Sequence, residues 1–430
     1  MRKTVRHYKL KKELTLFNTI LLGIGIILGA GIYALIGVGA GIAGDMLWAA
    51  FAIAAIIAVF TGLSYAELSS FFTKEAAEYN YTKRAFGREW LSFFVSLMLI
   101  IAGIVAAATV SLGFGGYFHF LFGGDINLIA LGLVIAMSIL NYIGMKDSAK
   151  FNNIASLIEV SGLLLVIVIF FAFSGSNNTN VNFLQLPPGG FAGLMSAVAL
   201  IFFAYIGFES IVNLSEEVKH AKTIIPKALI ISIAVSTVLY ILVSISAVGI
   251  LGSDSLSKSK APLTEAVGRS LPNATLLMSI IALFATGNTV LISMIVVSRI
   301  LYGMACQKTL PRICSRIGRT GTPYLSVLIV GIITAIFAYF GSLKFIASVT
   351  DLGIFIVYFF VNLALIKLRY TKGYKPHFKT PSIGKFPVFA LIGLISSFIM
   401  FFYFELNVWL LEIGVILFCL FLFLIFRKRD

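Results

Sequence analysis

Between residues 17 and 70 the chain carries two charged side chains, Asp45 and Glu67, and almost everything else is apolar or small. A helix needs about 20 apolar residues at 1.5 Å each to cross a hydrocarbon core of about 30 Å, so this stretch alone is long enough to cross twice. The rest of the chain repeats the pattern: 59% of its 430 residues are hydrophobic, 12% are charged and the mean hydropathy is +1.01. Twelve spans are expected, near 17–39, 46–70, 89–118, 127–145, 153–174, 191–217, 227–251, 273–304, 323–341, 344–368, 386–403 and 406–426. The lipid bilayer is the partner this composition demands. A basic tail, residues 1–15, leads into one transmembrane domain, 16–430, with no cleavable signal pattern at Met1 to Lys12.

The net charge of +15 would suit a nucleic-acid binder, but its placement points elsewhere. Of the 33 Lys and Arg residues, Lys258, Lys260, Arg269 and Lys344 fall opposite the N-terminus and all the others on its side. That asymmetry is the positive-inside rule and predicts cytoplasmic termini in a plasma-membrane protein. No nucleic-acid partner is expected.

Other chemistries find little support. Cys306 and Cys314 fall in a cytoplasmic loop and Cys419 in a span, so no extracellular disulfide pair exists. The four histidines are scattered without metal-ligand spacing, and there is no Gly-x-x-x-x-Gly-Lys-Ser/Thr loop. Gly23-Ile-Gly25 lacks the strand and βαβ context of a dinucleotide fingerprint. Asn177-Asn-Thr179 and Asn273-Ala-Thr275 fit the glycosylation pattern, a short motif that is mostly fortuitous. No enzyme, cofactor or metal is predicted, and nothing fixes an oligomeric state.

Span 1 contains Gly25-Ile-Ile-Leu-Gly29-Ala30-Gly31-Ile-Tyr33. Such glycines either let the helix unwind inside the membrane, where freed backbone groups can line a cavity, or let two helices pack closely. Span 6 has a second interruption, Phe202-Phe203-Ala204-Tyr205-Ile206-Gly207-Phe208-Glu209-Ser210, with a carboxylate at membrane depth. Paired breaks at corresponding places in two halves mark the substrate site of many transporters. Spans 1 and 6 open two successive groups of five, and an odd number of helices inverts the second group.

These segments resemble the amino acid–polyamine–organocation (APC) transporters. Leu63-Ser64-Tyr65-Ala66-Glu67-Leu68, Glu216-Glu217 before Ile225-Pro226-Lys227-Ala228, Pro262-Leu263-Thr264-Glu265-Ala266-Val267-Gly268 and Ser298-Arg299-Ile-Leu-Tyr302-Gly303-Met304 add to the likeness in the family's order. Two cytoplasmic connections depart from it. Thr73-Lys74-Glu75-Ala76-Ala77-Glu78 stands for the usual Pro-x-Ala-Gly-Gly, and Ala305-Cys306-Gln307-Lys308-Thr309 for Ala-Arg-Asp-Gly.

The resemblance implies an all-α integral membrane protein of the leucine-transporter fold. Two inverted five-helix repeats, about 16–174 and 191–368, would precede two further helices within 386–426, with helices 1 and 6 discontinuous. It implies secondary transport of an amino acid by alternating access; a polyamine or other organic cation is the alternative cargo. The carboxylate would meet the backbone at Ala30 and Gly31, beside Gly29 and Ile32. The amino group would meet the carbonyls of Ile27, Phe203 and Ile206. Phe203 and Phe208 would wall the side-chain pocket. Glu209 would receive a cationic side chain, act as a pH-sensitive gate, or hold the break open.

Glu159 matches the helix 5 position where some proton-coupled relatives place a lysine in lieu of sodium. A buried carboxyl there suits proton coupling; sodium coupling and ion-free exchange are the alternatives. Glu67 and Arg299 are expected near an inner gate or locally paired at the interface, and Asp351 in the outer half of span 10.

Overall fold

The computed structural model describes residues 14–73, 76–144, 148–173, 181–215, 217–307, 309–318 and 320–427. The basic tail Met1–Lys12, the Asn177–Thr179 sequon, Glu216 and the side chain of Ala30 lie outside what is described. In chain order the helices are α1 Leu16–Ala43, α2 Leu47–Phe71, α3 Ala77–Phe86, α4 Glu89–Phe122, α5 Ile126–Ile143, α6 Ser148–Phe173 and α7 Gly190–Ile201. There follow α8 Ala221–Leu251, the short α9 Ser253–Lys258 and α10 Pro262–Ser270, then α11 Thr275–Cys306 and α12 Tyr324–Phe340. The last three are α13 Leu343–Arg369, α14 Val388–Met400 and α15 Leu406–Arg427.

Among the described residues nine stretches are long and apolar enough to cross a membrane. The first, Leu16–Phe71, holds both α1 and α2, which part at Gly44 in a positive-φ conformation (φ 58°) that glycine adopts without a Cβ clash. Tyr324–Phe340 and Val388–Tyr403 are shorter apolar helices. The chain is therefore a multi-pass helical membrane protein. Within hydrocarbon a helix keeps its backbone hydrogen bonds to itself, which is why these apolar segments take no other form.

Burial separates the centre from the rim. The apolar window of α4 is 89% buried, whereas that of Leu406–Phe426 is 17% buried and that of α5 22%. α15 exposes Leu410, Leu417 and Phe421, an apolar face suited to lipid.

α1 runs through the middle, against α6, α8, α11 and the segment after α7. Its glycines are the contact points. A Cβ on Gly25 would lie 1.9 Å from Ser156 Oγ of α6, on Gly29 1.9 Å from Thr289 Oγ1 of α11, and on Gly31 2.0 Å from the Ala204 Cα. Small residues at such crossings let helix backbones touch.

Here the structure differs from the expectation. α1 is one continuous helix over Leu16–Ala43, without a break at Gly29–Gly31. Ser156, Thr289 and Ala204 are seated directly on Gly25, Gly29 and Gly31, so these glycines act as helix contacts here. The intact helical bonding is the arrangement that satisfies the backbone.

Span 6 behaves otherwise. α7 tightens after Ile201 into a 3-10 turn, Phe202–Tyr205; Ile206 is extended and Gly207 sits at φ 116°. A second 3-10 segment, Phe208–Leu214, carries the chain on.

Candidate functional site

The turn at Gly207 is built around Glu209. The Gly207 N–H, which has left the helical ladder, donates to both carboxylate oxygens, at 3.1 Å to Oε1 and 2.9 Å to Oε2. Tyr358 of α13 donates its hydroxyl to Oε2 at 2.8 Å. One buried carboxylate thus satisfies the orphan N–H of the interruption and ties it to α13. Glycine is required at 207: a side chain there would be strained at φ 116°, and its Cβ would meet Ile26 Cγ2 at 2.6 Å.

Tyr240 of α8 closes the seam between α1 and this turn. Its hydroxyl oxygen lies 2.7 Å from the Ile27 carbonyl and 2.8 Å from the Ala204 carbonyl. The one hydroxyl proton is shared between two acceptors. The Phe203 carbonyl accepts from the Ile206 N–H at 3.2 Å.

Of the residues expected to bind substrate, Ile27, Ile32, Phe203, Ile206, Phe208 and Glu209 are all buried. Ile27 and Ala204 meet through Tyr240, and Gly31 rests on Ala204. Gly29 faces Thr289 of α11, away from this seam, and Phe208 packs between Tyr65 and Tyr358. A cleft of about 310 Å³, lined among others by Tyr33, Ala34, Gly37, Gly113, Tyr117 and Lys260, reaches to within a turn of Gly31.

Glu159 stands apart from this seam, on α6 facing α11. It is fully buried; Asn288 donates Nδ2 to its Oε1 at 3.2 Å. Its Oε2 and the Asn288 Oδ1 have no partner among the described residues. The Glu159 backbone carbonyl accepts from the Tyr33 hydroxyl at 2.7 Å, and the Tyr33 carbonyl from Tyr117 at 2.9 Å. Two tyrosines that line the cleft thereby connect it to the Glu159 turn.

On the N-terminal side, the backbone ahead of α1 pairs with the segment after the second 3-10 turn: Leu14 N–H to the Glu217 carbonyl at 3.1 Å, and Lys219 N–H to Leu14 at 3.0 Å. Arg299 lies 3.6 Å from Glu217, a half-exposed ion pair. Glu67 pairs with Arg369, and Asp351 is buried with neither oxygen partnered among the described residues. Sequence reasoning missed Tyr240, Asn288 and Tyr358. Asn288, an amide inside an apolar span, was the legible signal.

The family described as amino acid permease matches residues 14–426. The chain belongs to that family. This amino acid transporter of the APC superfamily is 30% identical over 407 residues to the branched-chain amino acid permease BcaP of Bacillus subtilis, covering 89% of this chain and 86% of that protein. The permease is 27% identical to the methylthioribose transporter of the same bacterium, over 90% of this chain and 87% of the relative. Cationic amino acid transporter 4 of mouse is 25% identical over 85% of this chain; the match spans 61% of that longer protein.

Proposed function

We propose that this permease is a secondary active transporter, carrying an amino acid across the plasma membrane by alternating access with proton coupling. The observation that carries the reading is the Gly207 turn, capped by Glu209 and held against α1. Backbone breaks of this kind sit at the substrate site of many transporters. The twelve-span organisation fits it, with inverted repeats at 16–174 and 191–368, further helices within 386–426 and both termini in the cytoplasm. The placement of Lys and Arg supports that orientation.

In this conformation Tyr240 and the Gly31–Ala204 contact fill the seam. Substrate binding therefore separates them: α1 unwinds across Gly29–Gly31, and the N–H groups of Ala30 and Gly31 take the carboxylate at the positive end of the second half-helix. The ammonium group supplies three donors, enough to replace Tyr240 at the Ile27 carbonyl and to engage those of Phe203 and Ile206. Phe203 and Phe208 wall the side-chain pocket, and Glu209 holds the turn.

Glu159 is the coupling group. Its buried Oε2 and the Asn288 Oδ1 are both acceptors without a donor among the described residues, and a proton on the carboxyl supplies one. Proteoliposome uptake with imposed pH or sodium gradients tests this. The wild type is expected to accumulate amino acid under an inward proton gradient, and Glu159→Gln to lose that drive. Accumulation that follows sodium alone contradicts proton coupling. Competition by a panel of amino acids, with methylthioribose and a polyamine included, defines the cargo.

A further inference from the structure

α3 carries a buried acid that the transport cycle above does not use. Glu78 is 1% exposed, and its Oε1 has no partner among the described residues. It lies in one of the two stretches where this chain departs from the family's pattern. α3 is fixed to the substrate-site turn: the Ala77 N–H donates to Asn213 Oδ1 at 3.1 Å, and Asn213 Nδ2 reaches the Glu209 carbonyl at 3.4 Å.

The groups that face Glu78 are Tyr65 from α2, Tyr81 from α3 itself, Asn213 and Glu209 from the second 3-10 segment, and Tyr358 from α13. Tyr65 stands edge-on to Tyr358, with ring centroids 5.8 Å apart. Glu89 of α4 turns instead to Lys83, at 3.3 Å on the exposed side of α3. Among the described residues no cation pairs with Glu78.

Among the described residues the Glu209 carboxyl meets two donors, the Gly207 N–H shared by both oxygens and the Tyr358 hydroxyl, surroundings that suit an ionised carboxylate. Two neighbouring buried carboxyls do not both ionise readily, so the one left with an unsatisfied oxygen holds the proton. Burial pushes the Glu78 carboxyl up and the nearby Glu209 adds to the rise, while its own backbone N–H and the Tyr65 and Asn213 side chains oppose it, leaving it at about 7.

We propose that Glu78 is a second proton-binding site of the permease, sharing one proton with Glu209 and exchanging it with the side of the membrane that α3 faces. One carboxyl gives up the proton of its O–H as a carboxylate oxygen of the other takes one up; no other bond changes. When the Gly207 turn opens and Glu209 loses its donors, the proton moves to Glu209 and Glu78 ionises. The proposal rests on the placement of Glu209 and is independent of Glu159 and of the cargo.

Infrared difference titration of the purified full-length permease tests it, following protonated carboxyl absorption through neutral pH. The wild type is expected to lose a band with a midpoint of about 7. Glu78→Gln should lack it, and Glu209→Gln should keep it with a lower midpoint, because the like charge is gone. Glu159→Gln should leave it unmoved, which separates this proposal from the coupling role of Glu159. A band that persists in Glu78→Gln, or a midpoint unaltered in Glu209→Gln, overturns the proposal. If Glu78→Gln does not purify folded, the Glu209→Gln midpoint decides alone.

Discussion

Arg369, at the end of α13, grips Glu67 of α2 with two nitrogens: Nε lies 2.5 Å from Oε1 and Nη2 2.5 Å from Oε2. Both side chains are almost wholly withdrawn from solvent, at 7% and 0% exposure. Thr380 adds its N–H at 2.8 Å and its hydroxyl at 2.9 Å to the same carboxylate. The α13–α14 connection is thereby strapped under α2, and Ser70 reinforces it through the Phe378 N–H at 3.1 Å.

Removing one partner of this pair should be far worse than removing both. Glu67→Gln leaves a buried guanidinium without its counter-charge, and an unpaired buried charge costs about 3–5 kcal/mol. Glu67→Leu combined with Arg369→Met should recover much of that loss. Thermal melts in detergent check the order; a single mutant as stable as the double contradicts a buried pair.

The two glycines on α1 should respond differently to alanine. At Gly29 the added Cβ meets the Thr289 side chain at 1.9 Å, whereas at Gly31 it meets the Ala204 backbone at 2.0 Å. Gly29→Ala should therefore be partly rescued by Thr289→Ala. Gly31→Ala should find no rescue at Ala204, since backbone cannot be trimmed, and Gly31→Val should abolish substrate binding. Binding of labelled amino acid to purified protein reads both, and retained affinity in Gly31→Val removes this position from the site.

These glycines also mark where the sequence ran out. The hydropathy pattern exposed the multi-pass helical architecture, and the ordered motifs identified the family. The local sequence could not tell whether Gly25, Gly29 and Gly31 serve a break or a contact. Their partners Ser156, Thr289 and Ala204 lie more than a hundred residues away. Glu209 was legible because a carboxylate within an apolar span calls for a purpose. That it would hold the break open was one of its expected roles; that the N–H it meets is that of Gly207 was not legible, since that depends on the φ of 116°. Tyr240 and Tyr358 looked like any buried aromatic, because their hydroxyl partners come from other helices.

The raised carboxyl of Glu78 gives a signed pH effect. An acid whose folded pKa lies above its ordinary value favours the folded state at low pH and loses that contribution as pH rises. From the usual 4.5 to about 7, Glu78 should therefore lower the stability of the permease progressively. The difference in melting temperature, wild type minus Glu78→Gln, should fall as pH rises through that window. A difference that rises with pH contradicts a buried neutral Glu78.

The measurement that bears most directly on the transport account is a structure of the permease with a saturating amino acid. The account predicts ligand density between Ile27–Gly31 and Phe203–Glu209, with Tyr240 displaced from the Ile27 carbonyl and α1 unwound across Gly29–Gly31. Density confined to the cleft at Tyr117 and Lys260, beside an α1 still helical from Leu16 to Ala43, would contradict it.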